Sequence, residues 1–389
     1  MNEKLKERII SAAREAMPLM RSLRGDIYAH PEVGGTEEYA SAKLTAELES
    51  LGYAVERGFG GVPHAFRAEL KCSGEGPSAA IFAEYDALPG IGHGCGHNLI
   101  CSAAVGAAAA LAAVKDELPG RVIVYGTPGE ENLCTKTTLS AQGCFDEADF
   151  AMMTHPNPVT VASGRTRAVE AVQIEFFGRS AHAGTEPERG INALDAATDC
   201  YRYIREESGK HPDTNVHGII SSGGEKASVI PDYTCLRYLN RAWDMDTLAS
   251  LRRMSEDCAA RAAAETGCTY RVSNNEETNR PMRTNSALSE AFNGFLTELG
   301  EPEILRADST GSTDMGDVSW RVPAIHPWVG INCPNSALHT VEFAEHTLTT
   351  DADVFLGRCS AAMALTAAEV MTDAGLMERI KREFAAPGK

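Results

Sequence analysis

The sequence predicts an α/β fold with a central mixed sheet, interrupted by a smaller inserted α+β domain of ferredoxin-like βαββαβ order. Two observations predict it. Helical and strand-like patterns alternate over residues 1 to about 160, and a second rhythm with paired strands begins and ends inside the chain. The length agrees, since 389 residues exceed one ordinary domain.

In the first rhythm, Ile9, Ile10, Ala13 and Met17 suggest an opening helix. Thr36 to Leu51 suggests a second, closed by Gly52. Ala79–Ala83, Val122–Tyr125 and Phe150–Met153 are short apolar runs of the kind that form buried strands. Asn98–Val114, rich in small apolar residues, fits a buried helix between the first two. The second rhythm reads strand (Val169–Phe177), helix (Ile191–Glu207), strand (Asn215–Ile220), strand (Tyr233–Arg241), helix (Asp246–Thr266) and strand (Thr269–Ser273). A helix (Leu288–Leu299), a strand (Val322–Val329) and a long helix (Asp351–Met371) follow. The boundaries are therefore 1–167 and 278–389 for the larger domain, with 168–277 inserted.

Composition narrows the function. A hydrophobic fraction of 43% is ample for a packed core. A formal net charge of −18 repels phosphate backbones and anionic membrane surfaces, so nucleic acid and membrane are not expected partners. The eleven cysteines are odd in number and scattered, without disulfide-scaffold or zinc-finger spacing, and reduced thiols in the cytoplasm are expected. The N-terminus reads as a charged amphipathic helix, neither a signal peptide nor a membrane span.

In sheets of this kind, ligand sites collect beyond the carboxyl ends of the strands. The first buried run leads into Glu84-Tyr85-Asp86 and then Gly92-His93-Gly94-Cys95-Gly96-His97. The second ends in Thr127-Pro128-Gly129-Glu130-Glu131, the third in Thr154-His155-Pro156, and His339 follows the last predicted strand. Each piece alone is weak: a lone Cys-Gly-His is usually incidental, and adjacent glutamates are usually a solvated pair. Together, thiolate, imidazole and carboxylate at separate strand ends make a candidate ligand set for a borderline-soft divalent metal. Gly90-Ile91-Gly92-His93-Gly94 lacks the third glycine of a dinucleotide loop, and no Gly-x-Ser-x-Gly elbow supports a serine hydrolase.

These residues resemble the peptidase M20 family of metallo-amidohydrolases, which contains aminoacylase, carboxypeptidase G, the auxin-conjugate hydrolases and p-aminobenzoyl-glutamate hydrolase. The matching segments run in order along nearly the whole chain. They are Ala83-Glu84-Tyr85-Asp86-Ala87-Leu88-Pro89, Cys95-Gly96-His97-Asn98, Gly126-Thr127-Pro128-Gly129-Glu130-Glu131, His155-Pro156, Gly178-Arg179-Ser180-Ala181-His182-Ala183, Gly190-Ile191-Asn192-Ala193, Val229-Ile230-Pro231-Asp232 and Ser312-Thr313-Asp314-Met315-Gly316-Asp317. The Cys-Gly-His form points to the amidohydrolase branch.

The resemblance implies two divalent ions per subunit, Zn2+ or Mn2+, with Cys95 shared between them and His97, Glu131, His155 and His339 completing the shells. Asp86 would orient a ligand. Glu130 would be general base and then general acid for a metal-activated water. His182, acting on the partner subunit's site, would stabilise the oxyanion, which implies a homodimer through the inserted lid domain. Arg241 would grip a substrate carboxylate. The bland alternatives are that His182 only caps the helix region at Ile191 and that Arg241 serves an interdomain salt bridge. Two departures affect specificity: Ser228 replaces the usual Asn before Val-Ile-Pro, and Asn132, Leu133 and Cys134 replace the usual glycines after the Glu pair. The expected reaction is cleavage of the amide bond of a small N-acyl or N-aroyl amino acid, of p-aminobenzoyl-glutamate type. A metallo-dipeptidase on an unusual dipeptide is the rival within the enzymes, and a catalytically silent metal- or ligand-binding protein the rival outside them. Glu84, His93, Cys134, His326 and His346 lie near these segments without an assigned role.

Overall fold

The computed structural model describes residues 1–386. Two helices open the chain, α1 (Glu3–Glu15) and α2 (Met17–Ala29). The single opening helix expected through Met17 breaks at Ala16, because Pro18 in the first turn of α2 has no N–H to continue the ladder. After α3 (Glu38–Ser50) come β1 (Ala54–Arg57) and β2 (Phe66–Lys71), two strands the apolar-run criterion passed over. In β2, buried Phe66, Ala68 and Leu70 alternate with Arg67, Glu69 and Lys71, a half-buried pattern rather than a continuous apolar run. Next are β3 (Ser78–Glu84), buried at every position, α4 (His97–Ala112), β4 (Arg121–Thr127), α5 (Thr135–Ala141), β5 (Phe150–Met152) and β6 (His155–Asn157).

The following stretch supplies β7 (Ala168–Phe177), α6 (Ala193–Ser208), β8 (Asn215–Ser222), β9 (Tyr233–Ala242), α7 (Met245–Thr266) and β10 (Thr269–Asn274). The chain then returns with α8 (Ser286–Glu298), α9 (Met315–Ser319), β11 (Ala324–Ile325), β12 (Trp328–Gly330), α10 (Val341–His346), α11 (Thr350–Thr372) and α12 (Ala374–Ala385). The one strand expected over Val322–Val329 is two, in different sheets. Pro327 cannot donate to a ladder, and the chain changes sheet at His326-Pro327.

By contacts the chain divides into two compact units. The first holds Met1–Arg165, Met282–Ser309 and the residues from Thr313 onward; the second holds Thr166–Pro281 and Thr310–Ser312. The first unit has a six-stranded sheet of order β1-β2-β4-β3-β5-β11. β3, β4, β5 and β11 run parallel and β2 antiparallel to β4, so the sheet is mixed. The register Glu84↔Thr127 brings the carboxyl ends of β3 and β4 side by side. α4 and α11 are buried along most of their length in the core beside this sheet. α11 is the one helix among the described residues long and apolar enough to cross a membrane, and 78% of its apolar window is buried inside the protein.

In the second unit the sheet order is β10-β7-β9-β8, all neighbours antiparallel, in a βαββαβ chain order. Leu236, Tyr238 and Ala242 face α6 and α7 in its core, which leaves Arg237, Leu239 and Arg241 on the opposite face by the period of two. β8 is an edge strand whose Ile219 is 57% exposed.

Candidate metal centre

The candidate ligands are set by the ends of β3 and β4. Beyond Glu84 the chain passes Asp86 and turns through Cys95 and Gly96 into α4, which begins at His97. Gly96 has a left-handed φ of 82°, and a Cβ there would meet Pro156 Cγ at 2.4 Å. Glycine thus lets the Cys95–His97 turn lie against the His155-Pro156 segment. Beyond Thr127 the turn carries Glu130 and Glu131, and the Glu131 N–H donates to Asp86 Oδ2 at 3.0 Å, tying the two strand ends together. His155 does not end β5 as expected; it opens β6, three residues further on. His339 sits at a left-handed φ of 65°, its N–H bonded to the Gly94 carbonyl at 2.8 Å.

His97 Nδ1 lies 2.9 Å from Asp86 Oδ1 and 3.0 Å from the Asp86 carbonyl, both acceptors, so Nδ1 carries the proton. His155 Nδ1 lies 2.7 Å from the Pro156 carbonyl and is fixed in the same way. In the neutral rings this leaves Nε2 bare and turned toward the site, the support pattern of metal-ligating histidines. His97 Nε2 is buried without a hydrogen-bond partner, 3.6 Å from Glu84 Oε2 and 4.0 Å from Glu131 Oε1. His155 Nε2 is 3.5 Å from Cys95 Sγ, and His339 Nε2 is 3.2 Å from Glu131 Oε1.

Two triads follow, each with its ligand atoms within 4.8 Å of one another: Cys95, His97 and His155, and Cys95, Glu131 and His339. Cys95 belongs to both. Burial pushes its thiol well above the ordinary range, so it would take a directly bound cation to make it a thiolate. Burial also works against ionised Asp86, but His97 and the Glu131 N–H outweigh it and hold the carboxyl low. The charge count fits an ion pair as well. Glu84, Asp86, Glu130, Glu131 and Asp314 are ionisable acids here, and Lys136 is the one ammonium among them. Fully ionised, they leave four negative charges, and a metal-bound Cys95 thiolate would make five, most of which two dications would offset. The donor set and this charge both fit a two-metal site.

Glu130 stands between two groups. Its carboxylate lies within 4.8 Å of ligand atoms of His97 and Glu131 on one hand, and of Glu84 and Asp314 on the other. Burial, with Glu84, Asp314 and Glu131, pushes its carboxyl well above the usual range. Lys136, and the role of Asp314 beside it, form the part that sequence reasoning missed. Lys136 is fully buried, its Nζ 2.5 Å from Glu84 Oε1 and 2.6 Å from Asp314 Oδ1. A lysine five residues after a Glu pair reads as a solvated charge, and nothing in local spacing marks it as buried.

The unassigned residues separate. His326 is buried with both ring nitrogens unpartnered, packed 5.5 Å from the His155 ring and 4.9 Å from Trp328, and burial holds it down at about 3. His93 is buried, its Nε2 3.1 Å from the Ile27 carbonyl, and burial lowers it to about 4. The Cys134 thiol lies 3.7 Å from the Glu130 carbonyl. His346 closes α10 and belongs to none of the ligand clusters.

His182 and Arg241 lie in the second unit. His182 is exposed, and its Nδ1 accepts the Gly184 and Thr185 N–H groups at 3.1 and 3.2 Å. The proton is therefore on Nε2, which stands as a preset donor. Arg241 is half-buried on β9, in a hollow of about 450 Å³ that Asn215, His217, Arg237 and Glu276 also line. Burial, then Arg167, lowers its guanidinium from the ordinary value, so an anion there would be favoured.

A sheet-edge cluster of this kind, on this fold, defines a metal-dependent hydrolase of amide bonds. Residues 80–357 match peptidase family M20/M25/M40, and the chain belongs to that family. It is 36% identical over 405 residues to the Xaa-Arg dipeptidase of Mus musculus, covering 98% of this chain and 92% of that protein. It is 27% identical over 440 residues to a p-aminobenzoyl-glutamate hydrolase chain of Escherichia coli, covering 92% and 90%. Among solved structures, the aminobenzoyl-glutamate utilization protein from Klebsiella pneumoniae shares the fold with a TM-score of 0.71 at 20% identity, over 91% of this chain and 96% of that one. The Bacillus subtilis YXEP protein, a dinuclear metal binding peptidase from the M20 family, does so with a TM-score of 0.65 at 19% identity, over 95% and 99%.

Proposed function

We propose that the chain hydrolyses the single amide bond of a dipeptide with a cationic C-terminal residue, using two divalent ions held by Cys95, His97, Glu131, His155 and His339. The observation that carries the two-metal reading is the presence of Cys95 in both ligand triads. The substrate class is supported by the Xaa-Arg dipeptidase relative, which matches at higher identity than the p-aminobenzoyl-glutamate hydrolase chain over similar coverage. The net charge of −18 attracts a cationic substrate. The hollow around Arg241 holds Glu276 as well, so one residue could offer its carboxylate to the arginine and its side-chain cation to the glutamate.

When bound, the ion pair supplies Lewis-acid activation of a water and of the amide carbonyl. Glu130 takes the proton from that water and returns it to the leaving amine. The His182 Nε2–H donates to the oxyanion, and Arg241 holds the substrate carboxylate. Cysteine and histidine donors suit zinc, while the carboxylates around them also suit manganese. The scattered, odd-numbered cysteines suit a reducing, cytoplasmic setting, in which Cys95 would stay available to metal. A homodimer through the inserted unit is supported by the unpaired edge of β8 with exposed Ile219 and Ile220. Light scattering is expected to give twice the chain mass; a fully active monomer would remove the partner-subunit role of His182.

The second reading, hydrolysis of an N-aroyl amino acid, is favoured by the E. coli relative. A panel of dipeptides ending in Arg, Lys, Glu or Leu, together with N-acyl and N-aroyl amino acids, separates the two. Metal-dependent release of Arg and Lys is the expected result. Turnover confined to N-aroyl substrates would replace the dipeptide reading, and no turnover with two metals bound would favour a silent binding protein.

A further inference from the structure

One buried cluster of charged groups beside Glu130 has no part in the reading above. It is Lys136 with Asp314 and Glu84. Lys136 is fully buried, as are both of its carboxylate partners. Its Nζ touches Glu84 at 2.5 Å and Asp314 at 2.6 Å, and its backbone N–H donates to Asp314 Oδ2 at 3.1 Å. Asp314 is thus gripped twice by the same residue. A second tie joins the two segments, from Thr137 Oγ1 to Asp317 Oδ2 at 3.0 Å. Glu84, Glu130 and Asp314 bring their carboxylate oxygens within 4.8 Å of one another.

Stability does not explain such a cluster. A buried ion group can generally be replaced by well-packed apolar side chains at no loss, whereas removing one partner is costly. What the arrangement does accomplish is geometric. Lys136 supplies the countercharge that allows Glu84 and Asp314 to stand beside Glu130. Those two carboxylates then stand as like charges within 4.8 Å of Glu130. His97 and Glu131 also bring ligand atoms within 4.8 Å of the Glu130 carboxylate, and Glu84 Oε2 itself stands 3.6 Å from His97 Nε2. Glu84 and Asp314 repel an ionised Glu130, so cations held by the neighbouring ligands would draw its carboxylate toward themselves.

We infer that Lys136 and Asp314 are positioning residues which, through Glu84, aim the Glu130 carboxyl at the reacting centre. The inference rests on Glu130 being the base. Both side chains are fully buried, and each acts through the carboxylates beside Glu130. An error of about 1 Å in the placement of a catalytic group can cost on the order of 100-fold in rate, and this sets the expected effect.

The test uses the full-length, metal-loaded protein with its best substrate from the panel. Lys136→Met is expected to retain two ions per chain, to keep KM within roughly three-fold and to lose kcat by about 100-fold. Lys136→Arg, which keeps the charge and the donors, is expected to recover most of that loss. Because Lys136→Met leaves two buried carboxylates without a cation, the double variant Lys136→Met/Asp314→Asn is measured alongside it. The double variant has the wild-type net charge, and it is expected to fold, to bind metal and to remain slow. Wild-type kcat in the double variant would reduce the cluster to charge balance and overturn the inference. So would loss of metal in step with activity, or unchanged kcat in Lys136→Met. Glu130→Gln distinguishes the two failures: if it is inactive while Lys136→Met is fully active, only the positioning role falls, whereas an active Glu130→Gln removes the base itself.

Discussion

Glu130→Gln is expected to leave two ions bound and to lower kcat by roughly 1,000-fold, within the range general acid–base catalysis supplies. The amide is nearly isosteric with the carboxyl but accepts no proton at its nitrogen, so water activation and amine protonation fail together. Fold and metal should survive, because Glu130 lies outside both ligand triads that contain Cys95. The loss should appear in kcat, with KM little changed, since the group acts on the reacting atoms rather than on recognition. Steady-state kinetics beside elemental analysis of the same sample checks this. A variant that turns over at the wild-type rate with both metals present would transfer the base role to another group.

Cys95→Ser is expected to weaken metal binding by at least about 100-fold and to reduce occupancy of both positions, not one. Even outer-shell changes at metal sites cost 10- to 100-fold, and this side chain is common to both triads. A serine hydroxyl is neutral at pH 7 and a poorer bridge than a thiolate. The other donors divide between the positions, so His155→Ala should deplete chiefly one ion and His339→Ala chiefly the other. Titration of the metal-free variants with zinc, followed by calorimetry, separates these patterns. Full two-ion stoichiometry at wild-type affinity in Cys95→Ser would exclude a shared thiolate.

What could be read from the sequence follows from where its signals lie. β3 and α4 were legible because β3 is buried throughout and α4 along most of its length, so burial prints a continuous apolar run. The candidate ligands stood out because cysteine, histidine and paired glutamates directly after such runs are unusual neighbours. β2 escaped notice because Arg67 and Glu69 interrupt its apolar positions, and β1 because it is mostly exposed. The break between β11 and β12 turned on Pro327, which the apolar pattern across Val322–Val329 concealed. His339 reaches Glu131 from a left-handed loop position that no periodicity fixes. Lys136 and Asp314 were the least legible of all. Their roles arise from a contact across 178 residues, and a charged side chain carries no local sign of being buried.

The most direct test of the central claim is zinc titration of the metal-free protein, with bound ions and hydrolysis of an Xaa-Arg dipeptide measured on the same samples. Two ions per chain are predicted, with activity appearing only as the second position fills. One ion per chain at full activity, or hydrolysis that persists without metal, would contradict a two-metal centre built around Cys95.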